Sequence, residues 1–301
     1  MKILILGGTG FLGNALSKNL TDHNHEVIAV GKTCNLLKYD HAKDFVSNVN
    51  PDAVIILAAF VGGIGLNMRN PAVMFHDNML IGLNAVHLCY ELGIRAVYLG
   101  TCCAYPKGAP RPFKEENLWD GFPEETNAPY GVVKRSMGIM IDAYRAQYGY
   151  DCSYLIPANL YGPHDHFSLE DSHVIPALIR KFHDAKTNGN KVVTLWGDGS
   201  PTREFLYVSD CAEGIRLALE VNPSEPINIG NGIEVSIKDL SSLISGVVGF
   251  EGDIIWDTTQ PNGQPRRYLD VTKAEKLLNF KAKVTLQEGI EKTYEWFRNS
   301  F

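Results

Sequence analysis

Tyr130-Gly131-Val132-Val133-Lys134 sets a phenol and an amine four residues apart. On a helix that spacing brings both side chains to one face. A free phenol ionises at about pH 10, so phenolate is scarce at neutrality, and a neighbouring ammonium favours it. Such a pair can hand a proton to a carbonyl oxygen while hydride arrives at the carbon. The spacing alone is weak, since Tyr144-Arg145-Ala146-Gln147-Tyr148 is a near-miss in the same segment. Position strengthens it. Thr101 directly follows a strand predicted over residues 96–100, and open α/β sheets bind ligands at strand ends. A hydroxyl there can orient the same carbonyl oxygen, whereas an ordinary strand-end Thr would bond nearby backbone.

A second constellation addresses the source of hydride. Gly7-Gly8-Thr9-Gly10-Phe11-Leu12-Gly13 follows a strand over residues 2–6 and opens a helix running to residue 22. Gly8, Gly10 and Gly13 match the G-x-G-x-x-G fingerprint. Glycines let the backbone close on a pyrophosphate, and the helix N-terminus turns its positive end to the same phosphates. The strand–turn–helix context separates a dinucleotide site from a merely tight turn. The second strand, residues 26–30, runs into Gly31-Lys32-Thr33-Cys34-Asn35. No carboxylate waits there for a ribose 2′-hydroxyl, and Lys32 would attract a 2′-phosphate. The expected cofactor is NADP.

The elements that must position these groups alternate. Strands are predicted over 2–6, 26–30, 53–57, 96–100 and 153–156, and helices over 11–22, 78–92 and 130–148. That order implies an α/β fold with a doubly wound, mostly parallel, Rossmann-like sheet. After Pro157 the texture changes. Residues 163–172 are polar and irregular; helices are predicted over 173–183, 209–220 and 236–247, and short strands over 192–195 and 227–229. Ser209 and Asp210 are read as introducing one helix and Ser236 as capping another. Residues 272–298 read as two short helices. The expected division is a dinucleotide-binding domain over 1–160, revisited around 204–230, and a smaller α/β substrate-binding domain formed mainly by 161–301.

Among 301 residues, 45% are hydrophobic and 21% charged, with a net charge of -6. That balance excludes nucleic-acid binding through a basic face. No apolar run is long enough to span a membrane, and Met1 to Leu6 is too short for a secretory signal. The six cysteines, at 34, 89, 102, 103, 152 and 211, show no zinc-ligand spacing. Reduced thiols in the cytoplasm are expected. His164 and His166 flank Asp165 without a further ligand series, so no metal is expected.

Together the glycine turn, Thr101 and Tyr130/Lys134 resemble the extended short-chain dehydrogenases/reductases. Longer stretches narrow the likeness: Val61-Gly62-Gly63-Ile64, Cys103-Ala104-Tyr105-Pro106-Lys107, Glu125-Thr126-Asn127-Ala128-Pro129-Tyr130, Asn159-Leu160-Tyr161-Gly162-Pro163-His164-Asp165, Ser172-His173-Val174-Ile175-Pro176-Ala177-Leu178 and Arg203-Glu204-Phe205-Leu206. In order and approximate spacing these are similar to the GDP-L-fucose synthase family, bifunctional 3,5-epimerases and 4-reductases of GDP-4-keto-6-deoxy-D-mannose. The resemblance implies that Tyr130 donates the proton for reduction, beside Lys134 and Thr101. It makes Cys103 and His173 the base and acid of epimerisation, and sets Lys134, Asn159, Leu160 and His173 against the cofactor. A 4-ketone acidifies the neighbouring C–H bonds, and a thiol and an imidazole both exchange protons close to neutrality. For the nucleotide half, Trp196 can stack and Lys181, Arg203 and Arg267 can neutralise a diphosphate. A homodimer through the helices over 78–92 and 130–148 is implied as well.

Three departures from the family pattern stand out. Lys181 occupies a position where Arg is usual, Gly8-Thr9 replaces a more basic turn, and Thr101 replaces Ser. They leave open a reductase or 4-epimerase for another nucleotide sugar, such as a GDP-heptose. A non-catalytic dinucleotide sensor would keep the glycine turn but has no need of Thr101, Tyr130 and Lys134. A 4,6-dehydratase would carry Asp-Glu where Cys102-Cys103 follow Thr101.

Overall fold

The computed structural model describes residues 1–169, 171–260 and 262–301. Residue 170, within the irregular stretch expected over 163–172, lies outside the described residues, as does the side chain of Ile64. The chain begins with β1 (Lys2–Leu6), α1 (Phe11–Asp22), β2 (Glu26–Val30), α2 (Tyr39–Val49), β3 (Ala53–Ile56), α3 (Ile64–Arg69), α4 (Pro71–Glu91) and β4 (Arg95–Leu99). Two 3-10 turns, Cys102–Ala104 and Glu115–Trp119, lead to α5 (Ala128–Tyr148), β5 (Cys152–Pro157), β6 (Asn159–Tyr161), α6 (Val174–Thr187), β7 (Val192–Trp196) and β8 (Thr202–Tyr207). Then come α7 (Val208–Val221), β9 (Ile227–Ile229), β10 (Glu234–Ser236), α8 (Ile237–Val248), β11 (Asp253–Asp257), β12 (Arg266–Arg267), α9 (Thr272–Leu278) and α10 (Leu286–Ser300).

Six strands form the expected doubly wound sheet, in the order β2-β1-β3-β4-β5-β9, with every pairing parallel. Helices cover both faces of such a sheet, so its strands must be apolar throughout. Ile3, Leu4, Ile5 and Leu6 are each at most 1% exposed, and burying one such side chain stabilises by about 1.5–3 kcal/mol. The winding reverses between β1 and β3. The chain leaves β1 into the glycine turn and leaves β4 into Thr101, so both groups arrive at the same crevice.

The later elements pack around a second apolar cluster that includes Tyr161, Ile179, Phe182, Leu240, Ile244, Ile290 and Phe297. Here β8 is a hub. It pairs antiparallel with β10 and parallel with β12 and β6, while β7 pairs with β11.

Several elements differ from the sequence expectation. α2 buries only Ala42 and Val46, too few apolar positions to announce a helix. α3, β11 and β12 were likewise unmarked. α4 begins at Pro71 and α5 at Ala128, each with a proline in its first turn, where a fixed φ suits a helix start. Ser236 caps α8 as expected, accepting from the Asp239 N–H. Asp210 does not introduce α7. It lies inside the first turn, and its carboxylate accepts the N–H groups of Lys283 and Val284 at 3.1 and 3.0 Å. A short carboxylate serves a distant loop there instead of its own helix end.

Candidate active site

Tyr130 and Lys134 lie one turn apart on α5 and both are buried. α5 can reach the crevice because Gly131 has no side chain: a Cβ there would stand 2.5 Å from the Cys103 carbonyl oxygen. Lys134 Nζ donates to the Leu99 carbonyl at 2.8 Å and sits 4.6 Å from the Tyr98 ring centre and 6.0 Å from that of Tyr130. Burial draws the Lys134 pKa down to about 7. Burial, followed by the nearby Cys103 and Cys102, raises the Tyr130 phenol well above its ordinary value. Both shifts come first from loss of water around the groups. A phenol that keeps its proton is suited to donate it. Tyr98, which supplies an electron-rich face to the ammonium, was not marked in the sequence, since a Tyr in a buried strand reads as core.

Thr101 precedes the Cys102–Ala104 turn, and its Oγ1 accepts the Cys103 N–H at 3.2 Å. The backbone contact anticipated for an ordinary strand-end Thr is therefore made. That bond uses only a lone pair, and the hydroxyl also hydrogen-bonds the Cys103 side chain in the sense that favours its thiolate.

Cys103 is the partly accessible cysteine of the six; the other five are buried. Arg267 Nη1 donates to Cys103 Sγ at 3.2 Å, and its Nη2 donates to Asn159 Oδ1 at 3.2 Å. The Cys103 thiol is pulled well below the ordinary thiol range by its hydrogen bond with Cys102 and, against burial, by the Arg267 charge, Thr101 and His173. A thiol touched by a guanidinium favours its anion. His173 is the residue before α6, yet its side chain makes no capping hydrogen bond. It stands exposed in the cleft, within electrostatic reach of Cys103. The surrounding protein lowers its imidazole pKa, with the Cys103 charge acting in the opposite direction; water in the open cleft weakens that shift.

Arg203 and Arg267 are register partners on β8 and β12. Neither joins an ion pair among the described residues, whereas the adjacent Arg266 faces the other way onto Glu234. Alternation along the strand accounts for that division. Burial, then the charge of Arg267, lowers the Arg203 pKa to about 10. Two neighbouring guanidiniums with no ion-paired carboxylate among the described residues, and Glu124 acting on both only at longer range, make an anion-seeking wall. The sequence points Arg267 to a diphosphate; the fold also turns its fork to Cys103 and Asn159. Lys181 lies two turns beyond His173 on α6, half-buried, with its pKa lowered by that burial. Trp196 ends β7 and is 67% exposed.

Glu204 anchors this wall. It is 1% exposed and accepts the N–H groups of Asn231 at 2.6 Å, Gly232 at 2.8 Å and Leu269 at 2.7 Å. Burial pushes its carboxyl up to about 7, against those three donors. A carboxylate directly before the apolar Phe205-Leu206 was the available signal for it.

The glycine turn fits a dinucleotide. A Cβ on Gly13 would stand 2.3 Å from the Gly8 carbonyl oxygen, so α1 and the turn lie against one another as only glycine allows. No acidic residue occupies the first turn of α1, whose preceding residue is Gly10, leaving its N–H groups for an anion. Thr9, Phe11 and Leu12 complete the turn, and Lys32 is exposed in the segment after β2. Asn159 on β6 meets Arg267, with its Nδ2 donating to the Glu204 carbonyl at 2.8 Å, while the next residue, Leu160, packs against the main apolar core. Among the described residues, no cluster of His, Cys, Asp and Glu is placed to hold a metal, and no helix is long and apolar enough to cross a membrane.

Residues 3–230 match the family described as the NAD dependent epimerase/dehydratase family. The chain belongs to that family. GDP-L-fucose synthase 1 of Arabidopsis thaliana is 40% identical over 300 residues, covering 98% of this chain and 93% of that one. A GDP-6-OMe-4-keto-L-xylo-heptose reductase from C. jejuni superposes with a TM-score of 0.93 at 29% identity, over 100% of this chain and 98% of that one. MlghC, a GDP-mannoheptose C4 reductase from Campylobacter jejuni with NADP bound, gives a TM-score of 0.89 at 30% identity, over 99% of this chain and 98% of that one. Within the epimerase/dehydratase family, the glycine turn and the Tyr130–Lys134 pair belong to an enzyme that uses a nicotinamide dinucleotide.

Proposed function

We propose that the chain uses NADPH to epimerise a nucleotide-linked 4-keto-6-deoxy sugar at carbons 3 and 5 and to reduce its ketone, converting GDP-4-keto-6-deoxy-D-mannose to GDP-L-fucose. The observation that carries this reading is the Cys103 thiol, held by Arg267 in the same cleft as Tyr130 and Lys134. A plain reductase needs only the second set. The likeness to the Arabidopsis synthase over nearly the whole chain supports the substrate.

Cys103, as thiolate, takes the proton beside the ketone, and the phenol of Tyr130 and hydroxyl of Thr101 stabilise the enolate oxygen. His173 returns a proton on the opposite face. The glycine turn, residues 7–13, holds the cofactor with Asn159, Leu160 and Lys134, and Lys32 favours the 2′-phosphate of NADP. When bound, the reduced nicotinamide supplies hydride to carbon 4. Tyr130 then protonates the oxygen, and Lys134 stabilises the phenolate left behind. Arg203, Lys181 and Trp196 bind the nucleotide diphosphate, and Arg267 divides its charge between that anion and Cys103. Residues 1–160 with 204–230 form the cofactor domain, and most of 161–301 the sugar-nucleotide domain. The exposed apolar side chains Val73, Phe75 and Leu83 on α4 and Ile139 on α5 are assigned to a homodimer interface.

The decisive assay incubates the protein with GDP-4-keto-6-deoxy-D-mannose and NADPH in deuterium oxide and reads the product by NMR. GDP-L-fucose with deuterium at carbons 3 and 5 supports both activities. NADPH oxidation without deuterium leaves a plain reductase. The two heptose reductases of nearly identical fold favour a GDP-heptose as the second reading, to be assayed if the deoxy sugar is not turned over.

A further inference from the structure

The reaction above leaves one nucleophile without a task. Cys102 shares the 3-10 turn with Cys103, is 4% exposed, and directs its Sγ to Asn159 Oδ1 at 3.9 Å. Its neighbour Cys103 is partly accessible from the cleft, with Arg267 Nη1 3.2 Å from its sulfur. A cation in contact with an accessible sulfur stabilises the thiolate, and the same N–H groups can polarise an O–O bond as it breaks. Reversibly oxidised cysteines are often poised beside a resolving thiol; here the candidate is the adjacent residue.

We propose that Cys103 and Cys102 form an oxidation site for hydroperoxides, Cys103 as the attacking thiolate and Cys102 as the resolving thiol. In the first step the Cys103 sulfur attacks the terminal peroxide oxygen. An S–O bond forms and the O–O bond breaks. Sulfur loses two electrons, and the departing alkoxide or hydroxide takes a proton from water to leave as alcohol or water. In the second step the Cys102 sulfur attacks the Cys103 sulfenic acid. An S–S bond forms, the S–O bond breaks, and hydroxide leaves with the Cys102 proton as water. Before oxidation, Cys102 is held protonated, first by its hydrogen bond with Cys103 and then by burial, while Arg267 acts in the opposite direction. Forming the sulfenic acid removes the negative charge from Cys103 and leaves Arg267 in place, so Cys102 is released to react. Consecutive Cα atoms are about 3.8 Å apart, closer than disulfides ordinarily span. The bridge is therefore strained and easily reopened by a dithiol.

The oxidation chemistry stands on the geometry; its effect on turnover rests on the reading of Cys103 as the epimerisation base. The test treats the full chain with hydrogen peroxide, caps free thiols with iodoacetamide and maps peptides by mass. The expected result is a loss of about 2 Da on the peptide carrying residues 102 and 103, reversed by dithiothreitol. Cys102→Ser should instead accumulate a dimedone-reactive sulfenic acid at Cys103 that advances to sulfinic acid. Arg267→Met should slow oxidation by about tenfold or more. The proposal is overturned if Cys103 is no more reactive than free cysteine, or if the parent chain passes to sulfinic acid without the bridge. Solvent deuterium exchange into the substrate is measured alongside. If bridged protein still exchanges, the base assignment fails while the oxidation site stands.

Discussion

The two acid–base sets in this cleft are built by opposite means. Tyr130 and Lys134 stand one turn apart on a single helix, and burial governs both: it lowers the amine to about 7 and raises the phenol. Cys103, His173 and Arg267 come from three separate elements, Arg267 standing 164 positions after Cys103, and the thiol is lowered first by its hydrogen bond with Cys102 and then, against burial, by the Arg267 charge. One set is shifted by exclusion of water, the other by hydrogen bonds and charges gathered around one thiol. The proton that must be kept until late sits in the dry set, and the proton that must move early sits beside fixed charge. That difference suits a reaction in which exchange precedes reduction.

The largest expected effect tests whether the sets are separable. Tyr130→Phe should lower NADPH oxidation by about 10²–10⁴-fold, while deuterium exchange falls by far less. Equal losses in both assays would merge the two sets into one.

Next in size is Arg267→Met. Without its guanidinium the Cys103 thiol should rise towards an ordinary value, so iodoacetamide labelling at pH 7 should slow by about tenfold and shift to alkaline pH. Unchanged labelling would mean that Arg267 does not govern the thiol.

Acidity of the dry set can be read from pH profiles. The Lys134 pKa of about 7 belongs to a base depressed by folding, so its ammonium is present below that pH and lost above it. kcat/KM for reduction, which reports the free enzyme, should fall on the alkaline side with that midpoint. Lys134→Arg, which does not lose its proton, should lack this limb whatever its residual rate. Stability carries the opposite sign. The unfolded chain binds more protons between pH 7 and the ordinary lysine range, so the Lys134 contribution rises with pH across that window.

A smaller effect concerns the scaffold of the charged set. Glu204→Gln sets an amide NH₂ against one of three backbone donors and should cost about 1–3 kcal/mol, measured by urea unfolding at neutral pH. The Glu204 carboxyl is raised to about 7, so its stabilisation is fully present below the unfolded carboxyl value and lost as pH rises through 7. The Gln form should not show that decline. Smallest of all, Trp196→Ala should change stability by less than about 0.5 kcal/mol and act on KM for the sugar nucleotide. A large loss of stability there would remove Trp196 from the binding wall.

Much of the dry set was legible in the sequence because its spacing is local. A four-residue interval on a helix, a glycine turn after an apolar strand, and a hydroxyl at a strand end each carry their geometry within a few residues. The alternation of apolar strands and helices likewise determined the sheet, since strands buried on both faces must be apolar along their length. Short, weakly apolar elements such as α2 and β12 carried no comparable signal.

Tertiary structure alone decided the rest. Nothing near Arg267 in the chain announces that its guanidinium meets Cys103 instead of serving a diphosphate only. That contact exists because β12 pairs with β8, and β8 in turn with β6, bringing Arg267 to Asn159 and the Cys103 turn. The same holds for the sense of the Tyr130 and Lys134 shifts. Sequence spacing puts the two groups on one helix face, but the depth at which α5 is buried sets how much water each loses, and that loss is the first cause of both shifts.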